Sequence, residues 1–166
     1  MMKKLYLVRH AKSSWKDQSL SDLQRPLNCR GLKNAPEMGQ RLVKADVSVE
    51  LIVSSPANRA LTTARFLAQA MAYDAQKIIQ DDLLYFEGIS AILQIIQSTK
   101  PHIESLMLVG HNPDMTSLLN HLCGFQTVNM PTCAMGYIQF DNEWSEVTHG
   151  SGTLLNFDFP KNSDPM

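Results

Sequence analysis

The sequence predicts an α/β fold, a three-layer α/β/α sandwich around a mostly parallel central sheet. Three observations carry this. Leu5 to Val8, Leu51 to Val53 and Leu106 to Val109 are short continuous apolar runs, the pattern of strands buried on both faces. Between and after them apolar residues recur at helical spacing, so strands and helices alternate along the chain. With 166 residues, 44% of them hydrophobic, the chain has the length of one domain and the apolar content for one core. Residues 1–160 read as a single domain and 161–166 as a flexible tail.

The elements follow in order. The first strand, Leu5 to Val8, ends at the charged pair Arg9-His10. From Lys12 to Asn28 the chain is polar and without periodicity, a loop of a length that is often functional. Leu32, Ala35, Met38, Leu42 and Val43 then mark a helix, and Leu51 to Val53 the second strand. At Ser54-Ser55-Pro56 a strand passes into a helix: Ser55 is placed to cap it, and Pro56 suits the first helical position, where no N–H is needed. Arg59 falls in the first turn, ahead of an apolar stripe through Ala60, Leu61, Ala64, Leu67, Ala68 and Met71. Lys77 to Gln80 is a third strand, and Ile89, Ile92, Leu93 and Ile96 belong to a helix. Leu106 to Val109 is the clearest central strand. Asn112-Pro113 repeats the cap-then-proline pattern before a helix carrying Leu118, Leu119 and Leu122. Gly136 to Phe140, Trp144 to Thr148 and Leu154 to Phe159 read as short strands that complete the sheet.

Composition excludes several function classes. Fifteen Lys and Arg against sixteen Asp and Glu leave a net charge of −1, without the basic field that draws nucleic acid or acidic membranes. No apolar run approaches the roughly 20 residues of a membrane span, and Met1 to Val8 is too short for a secretory signal, so the expected address is cytoplasmic. Cys29, Cys123 and Cys133 are odd in number and lack CxxC spacing, which argues against a disulfide framework and a cysteine zinc site. The phosphate loop GxxxxGK[ST], a GxGxxG after the first strand, the GxSxG elbow and HExxH are all missing.

Parallel sheets bind ligands beyond the carboxyl ends of their strands. That rule brings together Arg9 and His10 after the first strand, Arg59 just past the second and His111 directly after the fourth. Each alone has a bland reading: a solvated Arg-His pair, a helix-surface arginine, a capping histidine. Their joint placement at one rim describes an oxyanion pocket, with arginine forks and helix amino termini as donors. In it a neutral imidazole can attack phosphorus in line and pass the phosphoryl group to water in a second step, while the second histidine donates to the equatorial oxygens. Side chains supply the positive charge, so no metal or other cofactor is expected. His102, His121 and His149 lack such a context and read as surface or helix-face residues. Trp15, a large aromatic in the polar loop, either lines the pocket mouth or packs over the core.

Here the residues carry a resemblance. Leu7-Val8-Arg9-His10-Ala11-Lys12-Ser13 resembles the RHG-type signature of the histidine phosphatase superfamily, which includes the phosphoglycerate mutases. Ser54 to Ala64 resembles its SSPxxRAxxTA segment, and Val109-Gly110-His111-Asn112-Pro113 its second histidine motif, in matching order. The short length, RHAKSSW, Arg25-Pro26-Leu27 followed by Arg30-Gly31, and GHNP are most similar to the small SixA-type branch, associated with phosphohistidine phosphatase activity. The resemblance implies a phosphoglycerate mutase-like fold, a phosphorylated nucleophile at His10, and phosphate binding with transition-state stabilisation by Arg9, Arg59 and His111. Ser13 stands where some relatives have a small polar residue in the phosphate pocket.

Two positions depart from the pattern. Ala11 replaces the usual glycine, and Tyr85 falls where many relatives carry a glutamate proton donor, leaving Glu87 and Asp82 as the candidate acids. General acid help is worth about two to four orders of magnitude for an alkoxide leaving group, whereas a protonated imidazole leaves readily. The expected function is therefore hydrolysis of phosphohistidine on a signalling or phosphotransfer protein. Two alternatives stand beside it: a small-molecule phosphomonoesterase using Glu87 or Asp82 as acid, and a phosphoprotein-binding module without turnover.

Overall fold

The computed structural model describes residues 2–162. Six strands form one sheet: β1 (Lys3–Arg9), β2 (Leu51–Ser54), β3 (Ile79–Gln80), β4 (Ser105–Gly110), β5 (Met135–Phe140) and β6 (Thr153–Asp158). Four α-helices pack on it: α1 (Cys29–Lys44), α2 (Asn58–Ala70), α3 (Ile89–Gln97) and α4 (Asp114–Cys123). The strand order is β3-β2-β4-β1-β5-β6. β1, β2, β3 and β4 are parallel, β5 pairs antiparallel with β1 and β6 antiparallel with β5, so among the described strands β5 alone runs against the others, in agreement with the expected mostly parallel α/β/α sandwich.

Side chains alternate across the sheet and divide the core in two. Leu5 and Leu7 of β1 face the apolar stripes of α3 and α4, among them Ile92, Ile96, Leu118 and Leu122. Tyr6 and Val8 face α1 and α2, where Ala35, Met38, Leu42, Ala64 and Leu67 are fully buried. β1 is thus apolar on both faces, which is why its residues form an unbroken hydrophobic run. It also begins earlier than expected: Lys3 is fully buried, and its ammonium donates to the carbonyls of Pro101 (2.5 Å) and Ile103 (3.1 Å).

Several expectations need correction. The third strand is shorter than Lys77 to Gln80: Ala75–Lys77 form a short 3-10 turn, and the strand is Ile79–Gln80 alone. Trp144 to Thr148 is no strand; Trp144–Glu146 form a short 3-10 turn. The buried residues there are Trp144 and Val147, three apart, which suits a turn and not the period of two of a half-buried strand. The Trp144 indole N–H donates to Ile103 O (2.6 Å) and fixes the turn against the sheet. α2 starts at Asn58 and not at Pro56, and Ser55 Oγ accepts from Ala57 N–H (3.2 Å) ahead of the helix instead of capping it. α4 likewise starts at Asp114 and not at Pro113, which itself takes the cap position; Asn112, one residue before the cap, accepts from Thr116 N–H (3.1 Å) through its side-chain oxygen. Of the expected tail, residues 163–166 lie outside those described.

Register fixes the position of the functional rim. Arg9 pairs with Gly110 and Ser54 with Val109, so His10, Ser55 and His111 leave three adjacent parallel strands at nearly the same level. The long loop closes beside them, with Ser13 bridged to Leu27, Ser14 N–H donating to Pro26 O (2.8 Å) and Asn28 N–H to Lys12 O (3.0 Å). α1 approaches this loop closely at Gly31, where a Cβ would stand 2.2 Å from Lys12 O. Only glycine admits that approach.

Candidate active site

His10 emerges from the end of β1 and is held by its backbone. Its N–H donates to Gly110 O (3.0 Å), and its carbonyl accepts from Cys133 N–H (3.0 Å). The next residue, Ala11, donates its N–H to Thr63 Oγ1 (3.0 Å), which ties the turn after β1 to α2. The His10 ring places Nδ1 2.6 Å from Ala11 O. A carbonyl only accepts, so the proton of the neutral ring sits on Nδ1 and the lone pair is left on Nε2. Burial pushes the pKa down to about 4, against the bond to Ala11 and reinforced by the positive charges of Arg59, Arg9 and Arg25.

The His111 ring lies against His10, with centroids 5.0 Å apart. Its Nε2 is 2.8 Å from Ser55 Oγ, while its Nδ1 is buried and has no hydrogen-bond partner among the described residues. Burial, followed by the charges of His10 and Arg59, lowers its pKa to about 3. Both imidazoles are therefore neutral at pH 7. Nitrogen-15 NMR is expected to find both rings titrating below pH 5, with the His10 proton on Nδ1 at pH 7. A midpoint near 6.5 for either ring, or a His10 proton on Nε2, would contradict this geometry.

Arginines close the pocket. Arg9 donates from Nη1 to Met130 O (2.8 Å), and its buried Nε has no partner among the described residues. Arg59, in the first turn of α2 and 2% exposed, donates from Nη1 to Asp22 O (2.6 Å) and from Nη2 to Asp22 Oδ2 (2.9 Å). Arg25 donates to Asp22 Oδ1 (3.0 Å), to Ser14 O (3.2 Å) and to the hydroxyl of Ser13. The Tyr85 hydroxyl also donates to Asp22 Oδ2 (2.5 Å). Partial burial works against ionisation of Asp22, but the bonds from Tyr85 and Arg59 outweigh it and hold the carboxyl at about 2.

These groups surround a cavity of about 300 Å³, with Arg9, His10, Ser13, Arg25 and Arg59 in its wall together with Asp22. A larger cleft of about 490 Å³ beside α3 gathers no such set of cationic and nucleophilic groups. Of the residues singled out in the sequence, Arg9, His10, Ser13 and Arg59 share this wall, and His111 stands against His10. Glu87 and Asp82, the expected proton donors, are both exposed, and neither lines the cavity. The chain turns through left-handed conformations at Phe86 (φ 60°) and Gly88 (φ 88°), and this turn sets the Phe86 ring, not the Glu87 carboxylate, in the wall. The acidic wall residue is Asp22, which sequence reasoning missed. Its signal was the Asp22-x-x-Arg25 spacing inside the polar loop, which puts both on one short turn. Trp15 resolves to the pocket mouth: it lines the cavity and is 69% exposed.

Comparison with known proteins agrees with the fold. Residues 5–84 match the family model for the histidine phosphatase superfamily (branch 1). An uncharacterized chloroplastic protein of Arabidopsis thaliana is 32% identical over 160 residues, covering 90% of this chain and 72% of that protein. The crystal structure of a protein assigned as phosphohistidine phosphatase SixA from Agrobacterium tumefaciens is 26% identical with a TM-score of 0.81, covering 95% of this chain and 98% of that one. A protein histidine phosphatase SixA complexed with tungstate shares the fold at 22% identity and TM-score 0.81, covering 95% and 97%. With its phosphoglycerate mutase-like sheet, its family match and these relatives, the chain is a phosphatase of the histidine phosphatase superfamily, SixA-type branch.

Proposed function

We propose that this phosphatase, as a single domain over 1–160, hydrolyses phosphohistidine on a signalling or phosphotransfer protein in the cytoplasm, through a covalent intermediate on His10. Nε2 of His10 carries a free lone pair in a ring that stays neutral far below pH 7, as a nucleophile toward phosphorus needs. Arg9 and Arg59 bind the phosphoryl oxygens, with Ser13 at the pocket wall, and His111 donates to an equatorial oxygen through a ring nitrogen. Charge spread over those oxygens in the transition state is met by preorganised donors. In the first step the His10 Nε2–P bond forms as the substrate N–P bond breaks, and the leaving imidazole keeps the electron pair. In the second, water displaces His10 and releases phosphate. Neither step calls for a metal or a cofactor.

The observation that carries the choice of substrate is Asp22. It is the one carboxylate among the described residues of the cavity wall, and the bonds from Tyr85, Arg59 and Arg25 hold it ionised down to about pH 2. A carboxyl in that state has no proton to give an alkoxide. An imidazole protonated at its distal nitrogen needs none, so the wall suits a phosphoramidate better than a phosphate monoester. The Agrobacterium relative, assigned as a phosphohistidine phosphatase, supports the same substrate class. Glu87 and Asp82 stand outside the wall, which gives no support to the monoesterase alternative. The test is hydrolysis of a phosphohistidine-bearing protein against a panel of phosphate monoesters at equal enzyme concentration without added metal. The phosphohistidine protein is expected to be preferred by about two orders of magnitude or more in kcat/KM, the size of a missing general acid. Preference for a small monoester would overturn the reading.

A further inference from the structure

Two aromatic side chains at the cavity are left unused by the chemistry above. Trp15 and Phe86 line the same wall as His10, and they are 69% and 48% exposed. Exposed apolar residues are ordinary when scattered, but these two stand at the mouth of one charged cavity. Both are also held in place. The Arg25 guanidinium lies 3.3 Å from the centroid of the Trp15 ring, and Arg25 is itself buried and fixed by Asp22 and Ser13. Phe86 lies 4.6 Å from His111 at 30° and meets Tyr85 edge-on. Its φ of 60° is a conformation costly for a bulky residue, and the turn is retained by Asp114 Oδ2, which accepts from Gly88 N–H (3.0 Å). A strained, anchored and half-exposed phenyl ring beside the nucleophile is a feature of a binding site and not of a folding core.

We infer that Trp15 and Phe86 form a subsite for a planar aromatic leaving group, against which the imidazole of a phosphohistidine stacks while its phosphorus faces His10. The inference rests on the proposed phosphohistidine reading and adds the residues that select for the ring. Rigid aromatic walls position such a ring at little entropic cost, and a protonated imidazole gains further from a ring face. The stacked ring departs as neutral imidazole once its N–P bond breaks, with its distal nitrogen already carrying a proton. A cavity of about 300 Å³ accommodates a phosphoryl group with one small ring, at the lower end of the roughly 300–1,000 Å³ of ligand pockets.

The test compares two N-phosphoryl substrates that differ in the ring: a phosphohistidine peptide, and phosphoramidate, whose leaving group is ammonia. The quantity read is the ratio of their kcat/KM values in wild type, Trp15→Ala, Phe86→Ala, Trp15→Phe and Phe86→Tyr. Each alanine variant is expected to lower the ratio about fivefold or more, and the aromatic replacements to keep it within about twofold of wild type, on the scale of one aromatic contact. A ratio unchanged in the alanine variants, whether or not both rates fall, overturns the subsite while leaving the phosphohistidine reading in place. Because the ratio compares substrates on one preparation, partial misfolding of a variant does not move it. Failure of wild type to hydrolyse the phosphohistidine peptide while it hydrolyses phosphate monoesters overturns both.

Discussion

Replacing His10 by alanine is expected to lower kcat by about four orders of magnitude or more, the scale on which loss of a covalent nucleophile is felt. The fold is expected to survive. Among the described residues the side-chain hydrogen bond of His10 goes to the carbonyl of its own neighbour, and the backbone bonds to Gly110 and Cys133 that shape the turn are made by any residue. A melting temperature within a few degrees of wild type, together with the loss of turnover, separates a chemical role from a structural one. Turnover within about tenfold of wild type would remove His10 from the mechanism.

Arg59→Ala has the second largest expected effect, about two to three orders of magnitude in kcat/KM, comparable with removing a preorganised oxyanion donor. Two losses combine. The guanidinium proposed to meet the phosphoryl oxygens goes, and so does the pair of bonds from Nη1 and Nη2 to Asp22, which leaves that carboxylate, among the described residues, to Arg25 and Tyr85. Asp22 then titrates above its present value of about 2, because Arg59 is among the groups that hold it down. Arg59→Lys is expected to recover little, since one ammonium cannot reproduce a planar double donation. Normal kinetics in Arg59→Ala would mean that the guanidinium does not meet the phosphoryl group.

How much of this could be read in advance depends on burial. β1, β2 and β4 were legible as apolar runs because both faces are covered, and parallel strands of that kind place their ends on one rim. The same argument brings Arg9, His10, Arg59 and His111 to one rim without help from the resemblance, and the structure gathers them there. Trp144 to Thr148 resembles a strand because Trp144, Val147 and Thr148 are strand-favouring residue types, and the three-residue spacing of Trp144 and Val147 is what marks the turn. The loop from Lys12 to Asn28 hid the rest. Its side chains follow no period, so neither the Asp22 bridge to Arg59 across 37 residues nor the Arg25 stack on Trp15 leaves a trace in spacing. Phe86 was equally opaque: no rule of composition anticipates a left-handed phenylalanine, and its turn leaves Glu87 exposed and outside the cavity wall. Tyr85, at the position where a glutamate was sought, instead gives its hydroxyl proton to Asp22.

The most direct test of the mechanism is rapid quenching of wild-type protein mixed with a phosphohistidine-bearing protein labelled in its phosphoryl group, followed by mass spectrometry of the enzyme's peptides. A transient label on His10, stable to base, labile to acid and gone once the substrate is consumed, is the predicted result. Hydrolysis that runs to completion with label on no enzyme residue, or on one other than His10, would contradict it.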